Sequence, residues 1–138
     1  MSEIDASIRN RREELKRVRD AVDRLGEECR LAAGIVEDMQ VALDEVLTNI
    51  LNYAYTDDGE HKIRIRLRVV DGALEATVED DGKPFNPLQI APPDTRAPLR
   101  ERKVGGVGVH FVRNLMNEVT YDRADGCNRL VLKRKLTA

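Results

Sequence analysis

Leu43-Asp44-Glu45-Val46-Leu47-Thr48-Asn49-Ile50-Leu51-Asn52-Tyr53-Ala54-Tyr55 is the stretch whose reading decides the fold. Its apolar residues recur at helical spacing. With about 3.6 residues per turn, Met39, Leu43, Val46, Leu47, Ile50 and Ala54 share one broad face. Glu45, Asn49 and Asn52 form a stripe on the other side. One face is therefore expected to build a core. The other pairs a possible general base, Glu45, with a neutral oxygen donor, Asn49, one turn away. A magnesium–phosphate site uses that pair of groups, but a solvated polar face has the same pattern.

The flanks say what this helix packs against. Before it, Leu15, Val18, Ala21, Val22 and Leu25 predict another amphipathic helix. Asn10 is its expected cap, with Glu13 three residues later, and Gly34 its expected breaker. Ile4, Ala6 and Ile8 alternate with polar residues and suggest a short N-terminal strand. After the central helix, Asp57-Asp58-Gly59 reads as a turn. Lys62-Ile63-Arg64-Ile65-Arg66-Leu67-Arg68-Val69 alternates strictly, the pattern of a strand with one buried face. Asp71-Gly72 signals a hairpin, and Leu74 to Glu79 is its return strand. Glu118 to Tyr121, a turn at Asp125-Gly126 and Leu130-Val131-Leu132 predict a second hairpin. Strands in hairpin pairs with helices between them indicate an α+β fold, a largely antiparallel sheet with helices on one face.

Between the hairpins the chain changes character. All five prolines lie between Lys83 and Val104, among Arg96, Arg100, Arg102 and Lys103. A long aperiodic segment inside a compact domain is commonly a functional lid. Gly105-Gly106-Val107-Gly108 follows and opens a third apolar helix through Val109, Phe111, Val112, Leu115 and Met116. Glycines at a helix N-terminus let backbone N–H groups approach an anion. Asp80-Asp81-Gly82 ends a strand, where a carboxylate can accept a hydrogen bond from an exocyclic amine and a glycine lets the backbone approach a flat ring.

Bulk properties narrow the field. The chain has 138 residues, the size of one domain, with 23 basic and 25 acidic side chains and a net charge of -2. That balance gives no general pull toward nucleic acid or membrane. The basic strand face lacks the interleaved aromatics of a nucleic-acid platform. No apolar run approaches the roughly 18 residues of a membrane span, and the acidic N-terminus does not read as a signal peptide. Cys29 and Cys127 are far apart, in no metal spacing, and are expected as free thiols in a cytoplasmic protein. His61 and His110 stand alone in sequence, so structural or surface roles are expected for them.

The order and spacing of three motifs are more specific than any one of them. Glu45-x-x-x-Asn49 on a helix, Asp80-x-Gly82 after a strand and Gly106-x-Gly108 before a later helix resemble the N, G1 and G2 boxes of the GHKL (Bergerat-fold) ATPases. Asn49-Ile50-Leu51-Asn52-Tyr53-Ala54-Tyr55, Asp80 to Pro87 and Gly105 to Val112 resemble the stand-alone anti-sigma serine kinases of bacteria. Gly126 to Lys133 resembles their closing strand.

The resemblance implies a single domain over residues 1–138, a two-layer α+β sandwich with a mixed, mostly antiparallel sheet and an ATP lid over about 83–105. It implies ATP and Mg²⁺ as ligands. Asn49 would hold the metal and Glu45 would be the catalytic base. Asp80 and Gly82 would bind adenine, with Gly106 and Gly108 at the phosphates. Arg100, Arg102 and Lys103 are alternative phosphate partners. The implied activity is phosphorylation of a STAS-domain anti-anti-sigma protein by a cytoplasmic homodimer that also holds a sigma factor. An ATP-gated switch without phosphotransfer is the alternative. Two features depart from the pattern. Tyr53 stands where relatives often have His, and many relatives have a further glycine after Gly82, where this chain continues Lys83-Pro84.

Overall fold

The computed structural model describes residues 2–55, 57, 59–86 and 112–136. Strand β1 (Ser2–Arg9) leads through a short 3-10 turn (Arg12–Glu14) into helix α1 (Leu15–Cys29), then helix α2 (Ala33–Tyr53). Strands β2 (Lys62–Val70) and β3 (Ala73–Asp80) form one hairpin, and β4 (Glu118–Ala124) and β5 (Cys127–Lys135) the other. Residues 112–115 are a helical turn between the hairpins. The sheet order is β1-β2-β3-β5-β4, and its four described pairings are all antiparallel. Among the described residues no helix is long and apolar enough to cross a membrane.

The alternation read from the sequence sets the two faces. Ile63, Ile65 and Leu67 on β2 pair with core-facing neighbours on β1 and β3, and Val78 and Ala76 pair in turn with Leu130 and Leu132. These residues are buried against Val18, Val22 and Leu25 of α1 and Met39, Leu43, Leu47 and Ile50 of α2. Each hairpin turns through two residues with positive φ, Asp71-Gly72 and Asp125-Gly126, the conformation that matches the strand twist. The other sheet face carries Arg64, Arg66 and Arg68. Arg64 pairs with Asp5 at 2.8 Å, Arg66 with Glu3 at 3.3 Å and Arg68 with Glu75 at 2.8 Å. The row that reads as basic in sequence is thus neutralised by acids on its neighbouring strands.

Three local expectations are corrected. Asn10 does not cap α1. Its side chain donates to Gly59 O and accepts from His61 N, tying the chain before α1 to the loop before β2. Glu14, not Glu13, reaches back to accept from the Arg9 N–H at 3.1 Å. Gly34 does not end α1 but lies in the first turn of α2. The break is at Arg30, which takes the left-handed conformation (φ 55) that more often falls to glycine.

Candidate nucleotide site

The polar groups gather where α2, the end of β3 and the start of β5 meet. Leu74, Ala76, Val78 and Asp80 form the core-facing row of β3, so Asp80 enters the interior at the last position of an apolar row. Its cross-strand partner is Asn128, on the same face of β5. Both are buried, 5% and 4% exposed. Asp80 Oδ1 accepts from the Gly82 N–H at 2.9 Å and from Asn128 Nδ2 at 3.0 Å. Burial pushes the Asp80 carboxyl above the usual carboxylate range, against the pull of those two hydrogen bonds.

Asn128 binds much more than Asp80. Its Nδ2 also donates to Lys83 O at 2.9 Å, and its Oδ1 accepts from the Phe85 N–H and the Tyr121 hydroxyl. Arg123 donates to Gly82 O at 2.7 Å. The β4–β5 hairpin therefore holds the backbone of residues 82–85. Gly82 has a packing reason besides the expected approach to a ring. A Cβ there would lie 2.8 Å from the Ala54 methyl and collide with the Ala54 carbonyl. That same carbonyl accepts from the Lys83 N–H at 2.8 Å, so the strand exit is docked on the end of α2.

Val46 and Ile50 of α2, with Val78, Asp80, Asn128, Leu130, Tyr121 and Phe85, enclose a small apolar cavity with one carboxylate in its wall. Its volume, about 10 Å³, suits a single water. The space that the described residues leave here is too small for a purine. Phe85 is the wall that belongs to neither helix nor sheet, and its ring packs on Tyr53 with centroids 5.8 Å apart. The departure at Tyr53 is thus a packing contact with the segment that follows Gly82.

On α2, Glu45 and Asn49 each precede a cavity residue, so they occupy the adjoining ridge. Glu45 is partly exposed. Asn49 is only 2% exposed, which the reading of a solvated stripe does not anticipate. Its Nδ2 has no hydrogen-bond partner among the described residues. A buried, unsatisfied amide is costly and needs an explanation. Rotating the amide would exchange its nitrogen and oxygen, so this position can offer a donor to a phosphate or an oxygen to a cation. No cluster of three or more His, Cys, Asp or Glu that could hold a metal occurs among the described residues. Asn49 offers a single amide oxygen, which suits Mg²⁺ carried in largely by phosphate oxygens and water. Asn52, third in the stripe, is exposed.

His61 is isolated in sequence but not in space. Its Nε2 is 2.8 Å from Asp57 and its Nδ1 3.4 Å from Asp81, and its ring stacks on Tyr55 at 4.1 Å. The hydrogen bond to Asp57 raises its pKa. It fastens the loop between α2 and β2 to the exit of β3, the structural kind of role expected. Cys29 and Cys127 are free thiols. Gly106, Gly108, Arg100, Arg102, Lys103, His110 and nearly all of the expected lid lie outside the described residues. Asn128, Tyr121, Arg123 and Phe85 carry no role in the sequence reading. The signal for Asn128 was present: the alternation of Leu130 and Leu132 extends back to it and puts an amide on the core face.

The chain matches a family model described as histidine kinase-like ATPase domain over residues 8–134. It is 29% identical over 103 residues to the serine/threonine-protein kinase BtrW of Bordetella bronchiseptica, covering 75% of this chain and 72% of that one. It is 31% identical over 103 residues to the serine-protein kinase RsbW of Bacillus mycoides, covering 71% of this chain and 63% of that one, just under two thirds of the relative's length. Among solved structures, the RsbU and RsbW domains of a Mycobacterium tuberculosis protein superpose with a TM-score of 0.70 at 16% identity, over 99% of this chain and 33% of that chain. A blue-light activated histidine kinase domain from Erythrobacter litoralis gives 0.57 at 21% identity, over 89% of this chain and 59% of that one. Likeness at these identities bears on the fold alone.

Proposed function

The chain belongs to the histidine kinase-like ATPase domain family, and from that premise we propose that it is an ATP-dependent serine/threonine protein kinase acting as an anti-sigma regulator. Its substrate is a STAS-domain anti-anti-sigma protein, and its other partner a sigma factor, held by a homodimer. The observation that carries the reading is Asn49: a buried amide whose nitrogen has no partner among the described residues, one turn from a partly exposed carboxylate. The relatives named as serine kinases support it.

In this reading the adenine amine bonds to Asp80, and the apolar walls from Val46, Ile50, Val78 and Leu130 take the ring once Phe85 gives way. Asn49 holds Mg²⁺, which when bound supplies charge neutralisation at the phosphate oxygens. Glu45 accepts the proton of the substrate serine hydroxyl as its oxygen bonds to the γ-phosphorus. The bond from that phosphorus to the β,γ-bridging oxygen breaks, and ADP leaves. Phosphoryl transfer depends mainly on positioning and electrostatics, which a rigid helix supplies to both groups.

Transfer of label from ATP to STAS-domain proteins, with Glu45→Ala and Asn49→Ala in parallel, tests this. Glu45→Ala should bind nucleotide normally and transfer about 10²–10⁴-fold more slowly. Asn49→Ala should lose Mg²⁺-dependent binding. A chain that binds ATP but labels no STAS protein overturns the kinase reading in favour of the ATP-gated switch.

A further inference from the structure

Every hydrogen-bonding position of the Asn128 amide is filled. Its two N–H groups donate to Asp80 Oδ1 and Lys83 O, and its oxygen accepts from the Phe85 N–H and the Tyr121 hydroxyl. An amide has two donors and two acceptor lone pairs, so no capacity remains for a ligand. The network also decides which way the amide points. Turned over, its oxygen would face the Asp80 carboxylate and the Lys83 carbonyl, and its NH₂ would face the Phe85 N–H. Three of the four contacts would then be repulsive. So complete a network around a buried side chain is rigid.

We propose that Asn128 is the positioning residue of the base pocket: it fixes the Asp80 carboxylate in the one orientation that can read a nucleotide's exocyclic amine. The inference rests on the reading of Asp80 given above. Among the described residues, both hydrogen bonds to the Asp80 carboxylate go to Oδ1, from Gly82 in the same chain segment and Asn128 across the sheet. With Oδ1 held from two directions, the carboxylate cannot spin, and Oδ2 is the oxygen offered to the base. Asn128 does not touch the base itself; it acts through Asp80.

Asn128 also favours the ionised form of Asp80, which accepts more strongly from an exocyclic amine. Burial works against that form, as does the charge of Asp81 next in the chain. Arg123 from β4 works for it. Tyr55, just beyond the end of α2, also feels the Asp80 charge. His61 faces Asp81 from the other side. Among these groups Asn128 is the only side chain that donates a hydrogen bond to the Asp80 carboxylate.

Calorimetric titration of the full chain with MgADP and MgGDP, across about pH 5.5 to 8.5, tests the assignment, with thermal unfolding as a check on folding. Asn128→Val keeps a strand-forming side chain but removes the donor. MgADP binding should weaken about tenfold, as expected for one lost hydrogen bond to a charged group, and preference for ADP over GDP should shrink. Asn128→Ser keeps a donor for Asp80 but cannot span to the backbone of residues 83–85. It should bind within about threefold of wild type. Asn128→Asp is isosteric and reverses the pH dependence. Two adjacent buried carboxylates share one proton at low pH and restore the donor, then repel at high pH, so binding weakens as pH rises. The wild type weakens as pH falls, when Asp80 itself is protonated.

Equal affinities for the Val and Ser variants, or a wild-type pH profile in Asn128→Asp, overturn the proposal. The Val–Ser contrast suffices if the Asp variant does not fold. Asp80→Asn separates this from failure of the underlying reading. If it binds MgADP like wild type, the base is not read by Asp80. If it loses binding while every Asn128 variant keeps it, only the role of Asn128 falls.

Discussion

Asp80 and Asp5 are the same side chain on opposite faces of one sheet, and their surroundings act on them in opposite directions. Asp80 lies in the core-facing row of β3, 5% exposed, with its carboxyl pushed up by burial. Asp5 lies on the open face of β1, where the Arg64 guanidinium bonded to it holds its carboxyl below the usual range. The open face also holds the larger hollow, about 340 Å³ against 10 Å³ for the cavity at Asp80. Its size is no sign of function. Arg64, Arg66, Arg68, Glu75, Glu79 and Arg129 line it, and each has an oppositely charged partner at 3.3 Å or closer. One region is expensive and small, the other cheap and large. A carboxylate buried at a cost points to ligand chemistry more strongly than open volume does.

The contrast breaks most visibly at Asp80. Asp80→Asn can still accept from Gly82 and Asn128 through its amide oxygen, yet it presents a donor to an exocyclic amine. MgADP affinity should fall at least about 100-fold, because a mismatched buried polar group is strongly rejected. The same variant should be more stable than wild type without nucleotide. Asp80 titrates higher when folded than when unfolded. Between those two values the folded state holds more protons, so stability falls as pH rises through that window. The deficit persists at neutral pH, and asparagine does not carry it. Thermal midpoints should therefore favour Asp80→Asn at pH 7 and converge below the ordinary carboxylate range. A less stable variant at pH 7 would mean that the Asp80 charge is not a burden to the fold.

Gly82→Ala comes next, because it attacks the docking that brings the strand exit to α2. The added methyl meets Ala54, whose carbonyl is backbone and cannot swing away. Overpacking of this kind costs about 1–3 kcal/mol, or a midpoint lower by roughly 3–10 °C. Nucleotide affinity should fall with it, since the N–H that holds Asp80 Oδ1 belongs to residue 82. A full-length chain with an unchanged midpoint would show that the turn relaxes without strain.

What the sequence disclosed follows the range of each interaction. The strands, both hairpins and the apolar side of α2 were legible, because alternation, turn chemistry and helical spacing are local. Asp80 was legible as a carboxylate at a strand end. Its bond to Asn128 was not, because β3 pairs with β5 and skips β4, a register no local pattern encodes. Asn10 misled for the same reason. A helix cap is its common local use, but Gly59 and His61, about fifty residues away in sequence, take its hydrogen bonds. Asn49 was singled out with the right neighbour and the wrong surroundings. Helical spacing puts it beside Glu45, but only the packing of α2 on the sheet decides that it is buried.

The smallest effect is expected at Asp5, and its sign should oppose that at Asp80. Asp5 titrates lower when folded than when unfolded, so its contribution is present above the ordinary carboxylate pKa and is lost as pH falls through the lowered value. Asp5→Asn should therefore be slightly less stable than wild type at pH 7 and equal to it in strong acid. The pair with Arg64 is exposed, so water and salt screen it and the difference should nearly vanish at about 1 M salt. MgADP affinity should not change, because Asp5 shares neither face nor hydrogen-bond network with Asp80. If Asp5→Asn lowered the midpoint as much as Gly82→Ala, or weakened nucleotide binding at all, the open face would be more than a neutralised surface. The separation of the two faces into a charge ladder and a buried polar site would then fail.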